Sequence, residues 1–230
     1  TIPDQGTYNV LYVVTMNDVV YAFDADSSSD VPLLSFDLTS EVPGSTPVPI
    51  NDIISPPPVN ITGNMGIEST PYIDLATNTM YLVAQTKESG GNCGDAAVSQ
   101  GNGDYCHRLH ALDITTLAEK FGGPTLIEGF VNGTGSNSVG GVLTFDPWLE
   151  NQRSSLGFAN GQIFIAWSSH EDQHPYHGWM MTYDAATLQR TSIFSSTPDG
   201  VEGGIWMAGR APVIDADGYV YYMTGNGTWD

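Results

Sequence analysis

Apolar and polar residues alternate along short runs of this chain, and the runs come in pairs. Tyr72-Ile73-Asp74 with Met80-Tyr81-Leu82-Val83, Leu156-Gly157-Phe158 with Ile163-Phe164-Ile165-Ala166, and Val213-Ile214-Asp215 with Val220-Tyr221-Tyr222-Met223 each read as two strands joined by a tight turn. A period of two is that of side chains on alternate faces of a strand. Asn160-Gly161 and Asp217-Gly218 are strong hairpin turn pairs. A further alternating run accompanies this pattern at Val20-Tyr21-Ala22-Phe23-Asp24, Leu109-His110-Ala111-Leu112-Asp113 and Met180-Met181-Thr182-Tyr183-Asp184. Each ends on an Asp whose carboxylate can cap the next turn. Gly and Pro recur too often for a long helix, so the chain reads as all-β.

A strand quartet repeated radially is a propeller blade. The runs therefore predict a β-propeller of four-stranded antiparallel blades, with about four blades or part-blades at residues 9–38, 66–130, 152–196 and 204–230 of a single domain. Strands should follow in order from inside to outside, with Tyr12, Tyr81, Phe164 and Tyr221 at equivalent places on second strands. Residues 43–58, the stretch around the two cysteines and residues 129–141 read as insertions on the repeat.

Tyr-Ala-Phe-Asp-Ala-Asp at 21–26, Leu-His-Ala-Leu-Asp-Ile-Thr-Thr at 109–116 and Thr-Tyr-Asp-Ala-Ala-Thr at 182–187 resemble the third strand and following turn of pyrroloquinoline-quinone (PQQ) type propeller repeats. With Pro175-Tyr176-His177-Gly178-Trp179 and Gly203-Gly204-Ile205-Trp206-Met207-Ala208-Gly209, the chain is similar to secreted quinoprotein-like propellers along nearly its whole length. The resemblance implies that the propeller is a fragment: the first blade opens on its second strand and the fourth stops before its third. It also implies missing flanking sequence, or self-association or partner chains at open blade edges. For the enzymes of this family it implies a PQQ- and calcium-dependent dehydrogenase oxidising sugars or alcohols. The vicinal Cys-Cys pair of one major branch is absent here, and neither a calcium-ligand set nor a catalytic Asp maps residue by residue. The preferred reading is a secreted, non-catalytic binding or structural propeller that uses channel or rim loops; the dehydrogenase is the alternative.

Composition narrows the partners. Six Lys and Arg against 26 Asp and Glu give a formal charge of −20, which repels a nucleic-acid backbone. No apolar run approaches the roughly 18 residues of a membrane span. Cys93 and Cys106 bracket a Gly- and Asn-rich stretch with little else to hold it, and are expected to form a disulfide in an oxidising, extracellular setting. Asn60-Ile61-Thr62 and Asn132-Gly133-Thr134 are glycosylation acceptors in segments expected to be exposed.

Candidate chemistry gathers at two places. Hairpin alignment puts Arg153 and Arg210, two of only four arginines, at one position at the start of innermost strands, with Ser69 equivalent to both. Convergent guanidinium groups suit an anionic ligand; the alternative is pairing with acidic neighbours such as Glu68 or Glu202. His170-Glu171-Asp172-Gln173-His174, with His177 three residues on, places imidazoles and carboxylates in one loop. His170, Asp172 and His174 are the candidate metal ligands, against the alternative of a solvated loop. Trp206, flanked by Gly203 and Gly204, is the tryptophan placed to stack on a flat ring such as a sugar or quinone. Arg153, Arg210, Trp206, Glu68 and His177 are thus the candidate ligand-binding residues, for an anionic or carbohydrate ligand.

Overall fold

The structure is a computed structural model and describes residues 1–54, 61–89, 93 and 104–228. Its first sheet joins β1 (Val10–Val14), β2 (Val19–Asp24) and β3 (Leu34–Asp37) in sequence order. The second contains β4 (Thr46–Pro49), β5 (Asn64–Met65), β6 (Tyr72–Asp74), β7 (Thr79–Glu88), β8 (Asp104–Asp113) and β9 (Thr125–Ile127). A separate hairpin pairs β10 (Phe130–Asn132) with β11 (Val142–Thr144). The third sheet contains β12 (Glu150–Asn151), β13 (Gly157–Ala159), β14 (Gln162–Ser169), β15 (Trp179–Asp184) and β16 (Arg190–Ser195). Finally β17 (Val213–Ile214) pairs with β18 (Val220–Tyr221). Every strand pairing is antiparallel, as in a propeller segment, and the described sheets do not close into a ring.

Register shows the repeat residue by residue. Tyr12 faces Ala22, Tyr81 faces Ala111 and Phe164 faces Thr182, in each case two residues before the terminal Asp of the next strand. On the inner side Tyr81 faces Tyr72, Phe164 faces Gly157 and Tyr221 faces Val213. Those Asp residues cap their turns as their side chains allow: the Oδ1 atoms of Asp24, Asp74, Asp113, Asp184 and Asp215 each accept a backbone N–H two residues on, at 2.7–3.0 Å.

Alternation along the middle strands decides how the sheets stack. Met80, Leu82 and Ala84 of β7 pack with Val20 and the half-buried Tyr12 and Val14 of the first sheet. The intervening Tyr81 and Val83 pack with Ile163, Ile165 and Trp167 of β14. Ala166, with Phe164, then meets Ile205, Val220 and Tyr222. Both faces of β7 and β14 are thus taken out of water, the condition under which a two-residue period shows apolar residues on either side. The recurrent aromatic also links sheets by its hydroxyl: Tyr12 donates to the Ile114 carbonyl at 2.5 Å and Tyr81 to the Ala185 carbonyl at 2.8 Å, both just after a capping Asp. Tyr221 keeps the register but is 56% exposed, because no described sheet lies on its far side.

Two supposed insertions do structural work. β4, from the Pro-rich segment, pairs with the far half of β7 at Thr46↔Lys87, while β6 covers the near half. In the third sheet β12 and β13 divide β14 in the same way. The inner edge is therefore split, and the residues between its halves are free to meet neighbouring sheets. Cys93 and Cys106 are bonded to one another and buried. Nearby, Arg108 forms a two-pronged pair with Glu88, 2.7 and 2.9 Å, that leaves neither charge alone in the interior.

Candidate functional site

The split inner edge of the third sheet opens a cleft of about 240 Å³. Asn151 and Arg153 reach it from β12 and the residues that follow. His170, Glu171 and Asp172 come from the turn after β14, Trp206 from the segment before β17, and Ile54 and Ile61 form an apolar wall. The four sequence candidates Arg153, His170, Asp172 and Trp206, from segments far apart in the chain, thus line one space.

The turn that presents the acids has an uncommon backbone. Gln173 N–H donates to the His170 carbonyl at 3.1 Å, and Glu171 and Asp172 between them have φ of 54° and 53°. Two successive left-handed residues make a type I′ turn, which Asn-Gly adopts freely and Glu-Asp adopts at a cost of about 1 kcal/mol or more per residue. Asp172 is tied back by the Tyr176 hydroxyl at 2.9 Å and the Asn226 amide at 3.4 Å.

His170 is 2% exposed, and neither ring nitrogen has a hydrogen-bond partner among the described residues. Burial, with His107 nearby, lowers its pKa to about 3. Burial likewise lowers His107 to about 4, and its Nε2 donates to the Glu150 carbonyl at 3.0 Å. Burial keeps both imidazoles neutral, so the His170 ring carries one donor and one acceptor, and both nitrogens are enclosed by protein behind the cleft wall. Beside the cleft, burial raises the Glu68 pKa, with the Arg153 charge and a hydrogen bond from Asn151 opposing it.

The other candidates are placed elsewhere. Arg210 lies beside Arg153 through the backbone, since its carbonyl accepts from Ser155 N–H and Ser154 Oγ at 3.1 Å each, but its side chain is exposed and does not line the cleft. His174 is exposed and sits 3.1 Å from the Glu202 carboxylate. His170, Asp172 and His174 therefore do not converge on one point: among the described residues the group of three close metal-ligating side chains is Glu88, Cys93 and Cys106. His177 is buried, with Nδ1 3.0 Å from the Thr197 carbonyl and Nε2 2.8 Å from that of Ser136, which ties the β10–β11 connection to the third sheet. Gly204 and Gly225 make room for the Trp206 indole itself, a Cβ at Gly225 falling 2.8 Å from Nε1. Asn132 is exposed on β10, and Asn60 lies outside the described residues.

Sequence reasoning missed Asn151 as a lining residue, and Glu150 altogether. Glu150 is 1% exposed; its Oε1 accepts from His177 N–H at 3.0 Å and Trp179 Nε1 at 3.3 Å, and burial pushes its pKa well up. A two-residue strand carries no periodicity that would reveal it.

No protein-family model and no curated protein matches the chain in sequence. In structure it is similar to the quinohemoprotein alcohol dehydrogenase ADHIIG from Pseudomonas putida, with a TM-score of 0.50 and 14% identity, over 96% of this chain and 28% of that one. The likeness defines the class of fold, a β-propeller segment. The chain spans about 28% of that protein's length, and at this identity the relation is one of fold.

The bonded cysteines occupy two of the three positions in the close ligand group, and Glu88 there is held by Arg108. That group therefore leaves no open position for a cation.

Proposed function

We propose that the chain is a ligand-binding segment of an extracellular propeller, whose inner cleft takes a neutral, polyhydroxylated ligand of the carbohydrate class without transforming it. The observation that carries this reading is the convergence of Asn151, Arg153, His170, Asp172 and Trp206, from segments far apart in the chain, on one cleft.

Electrostatics favours a neutral ligand over an anion. Arg153 is the cleft's cation, against Glu171 and Asp172 in its lining, in a protein of charge −20. Sugar hydroxyls both donate and accept, so they can meet Asp172, Asn151 and Arg153 together. The half-buried Trp206 offers an indole face to the apolar side of a pyranose ring. The disulfide supports an oxidising compartment, and no helix among the described residues is long and apolar enough to cross a membrane.

The test is calorimetric titration with glucose, galactose, mannose, cellobiose and maltose, alongside glucuronate and acetate as anions. A neutral sugar should bind, and Trp206→Ala should weaken it by about 1–3 kcal/mol, the scale of a buried aromatic contact. Tighter binding of the anions, or sugar binding unchanged by Trp206→Ala, defeats the reading. A quinone absorbance band in material purified from its native source would defeat its non-catalytic part.

A further inference from the structure

At the other end of the third sheet, a cavity of about 630 Å³ opens between β9, the β10–β11 hairpin and the turn joining β15 to β16. That volume lies within the roughly 300–1,000 Å³ range of small-molecule sites. Its apolar surface comes from Leu126, Leu188 and the ring of Tyr183, the last two 1% exposed. Phe130 lines it as well and is 60% exposed, a large apolar ring left in water on the short strand that forms one wall.

Two opposite charges line the same cavity. The Arg190 guanidinium donates to the Glu128 carbonyl and lies across Gly129, where a Cβ would collide with it and with Ile193. The group is thus held before any ligand arrives, which lowers the ordering cost of binding. Glu128 is exposed, and no described side chain hydrogen-bonds its carboxylate. Burial pushes the Tyr183 phenol up, while Arg190 draws it down and Glu128 adds to the rise. Both charged residues line the cavity with Tyr183, whose buried hydroxyl has the weak Met181 thioether as its hydrogen-bond acceptor at 3.6 Å.

We propose that this cavity is a binding site for a free α-amino acid with an apolar side chain, its carboxylate on Arg190, its ammonium on Glu128 and its side chain against Phe130, Leu126 and Leu188. The pair of charges is neutral as a whole, matching a zwitterion, whereas a simple anion meets the repulsion of a −20 protein. A sugar would leave the apolar wall and the charge pair unmatched. The site shares no residue with the inner cleft, so the two proposals stand or fall separately.

Titration of the whole chain with L-phenylalanine and L-leucine tests it, against N-acetyl-L-phenylalanine and L-phenylalaninamide. The intact zwitterions should bind, and each blocked derivative should bind at least about tenfold more weakly, the loss of one charge-assisted hydrogen bond. Glu128→Gln should abolish the preference for phenylalanine over its N-acetyl derivative, and Arg190→Gln that over its amide. Glu128 is free of hydrogen-bonded side chains, so Glu128→Gln keeps the test open if Arg190→Gln fails to fold. The proposal is overturned if no zwitterion binds, if the blocked derivatives bind as tightly as the parents, or if Glu128→Gln leaves the preference unchanged.

Discussion

The phenol of Tyr81 is where the stacking of sheets can be measured most directly. Its ring is 1% exposed in the core between the second and third sheets, and its hydroxyl donates to the Ala185 carbonyl at 2.8 Å. Tyr81→Phe removes one oxygen and leaves the ring's apolar contacts in place, so the cavity contribution is small. What is lost is a net hydrogen bond of about 0.5–1.5 kcal/mol, together with part of the roughly 1–3 kcal/mol that an unsatisfied buried carbonyl costs. A loss of about 1–2 kcal/mol follows, or about 2–8 °C in Tm at the 2–4 °C per kcal/mol expected for a chain of this size. Tyr81→Ala, which empties the core, should cost about 3–5 kcal/mol. Tyr221→Phe is the internal control: it holds the equivalent register but is 56% exposed, and its hydroxyl reaches its own sheet's Asp215 at 3.0 Å. Its effect should stay within about 0.5 kcal/mol. Urea unfolding with unchanged m-values is the assay. If Tyr81→Phe and Tyr221→Phe prove indistinguishable, the hydroxyl does not hold the sheets together and the reasoning fails.

Reducing the Cys93–Cys106 bond, whose cysteines are 13 residues apart, should cost about 3 kcal/mol on the chain-entropy account; equal urea midpoints with and without reductant would contradict that. The Glu150 pKa is raised by burial, so its contribution to stability is greatest at low pH and falls as pH rises from the unfolded value towards the folded one. Glu150→Gln should accordingly gain on the wild type between pH 4 and 7, and parallel pH profiles of the two would refute the assignment. Asp184 shows the opposite sign: the Thr187 hydroxyl bond, more than any other contact, holds its carboxylate below the ordinary range. Its stabilisation is present above the unfolded pKa and disappears as pH falls through the folded one, so Asp184→Ala and wild type should converge in strong acid and separate by pH 6. Gly178→Ala should be among the most destabilising single changes, because its Cβ would collide with the Gly203 carbonyl and the Ser196 hydroxyl; a Tm within about 1 °C of wild type would show that the Gly203 segment moves away from the third sheet without cost.

Local signals were legible in the sequence. Alternation, hairpin turns and capping Asp residues depend on atoms within about four positions of one another, and they identified the register of Tyr12, Tyr81 and Phe164 and the Asp-capped turns before any sheet was stacked. The disulfide was legible too, because two cysteines around a loop with few apolar anchors have one intramolecular partner available. Partition of the inner edge between β4 and β6, and between β12 and β13, had no such signature, since β4 and β12, of four and two residues without a hairpin turn beside them, are too short to show a period. The same holds for the inner cleft. His170 sits in a polar run that reads as a solvated loop, and only the third sheet packed against its neighbours buries it without a partner. Arg153 and Arg210 aligned in sequence and lie side by side in backbone, yet one lines the cleft and the other faces solvent. Side-chain direction at the split edge depends on where neighbouring sheets leave room, a property of contacts between residues some fifty positions apart that local sequence does not encode.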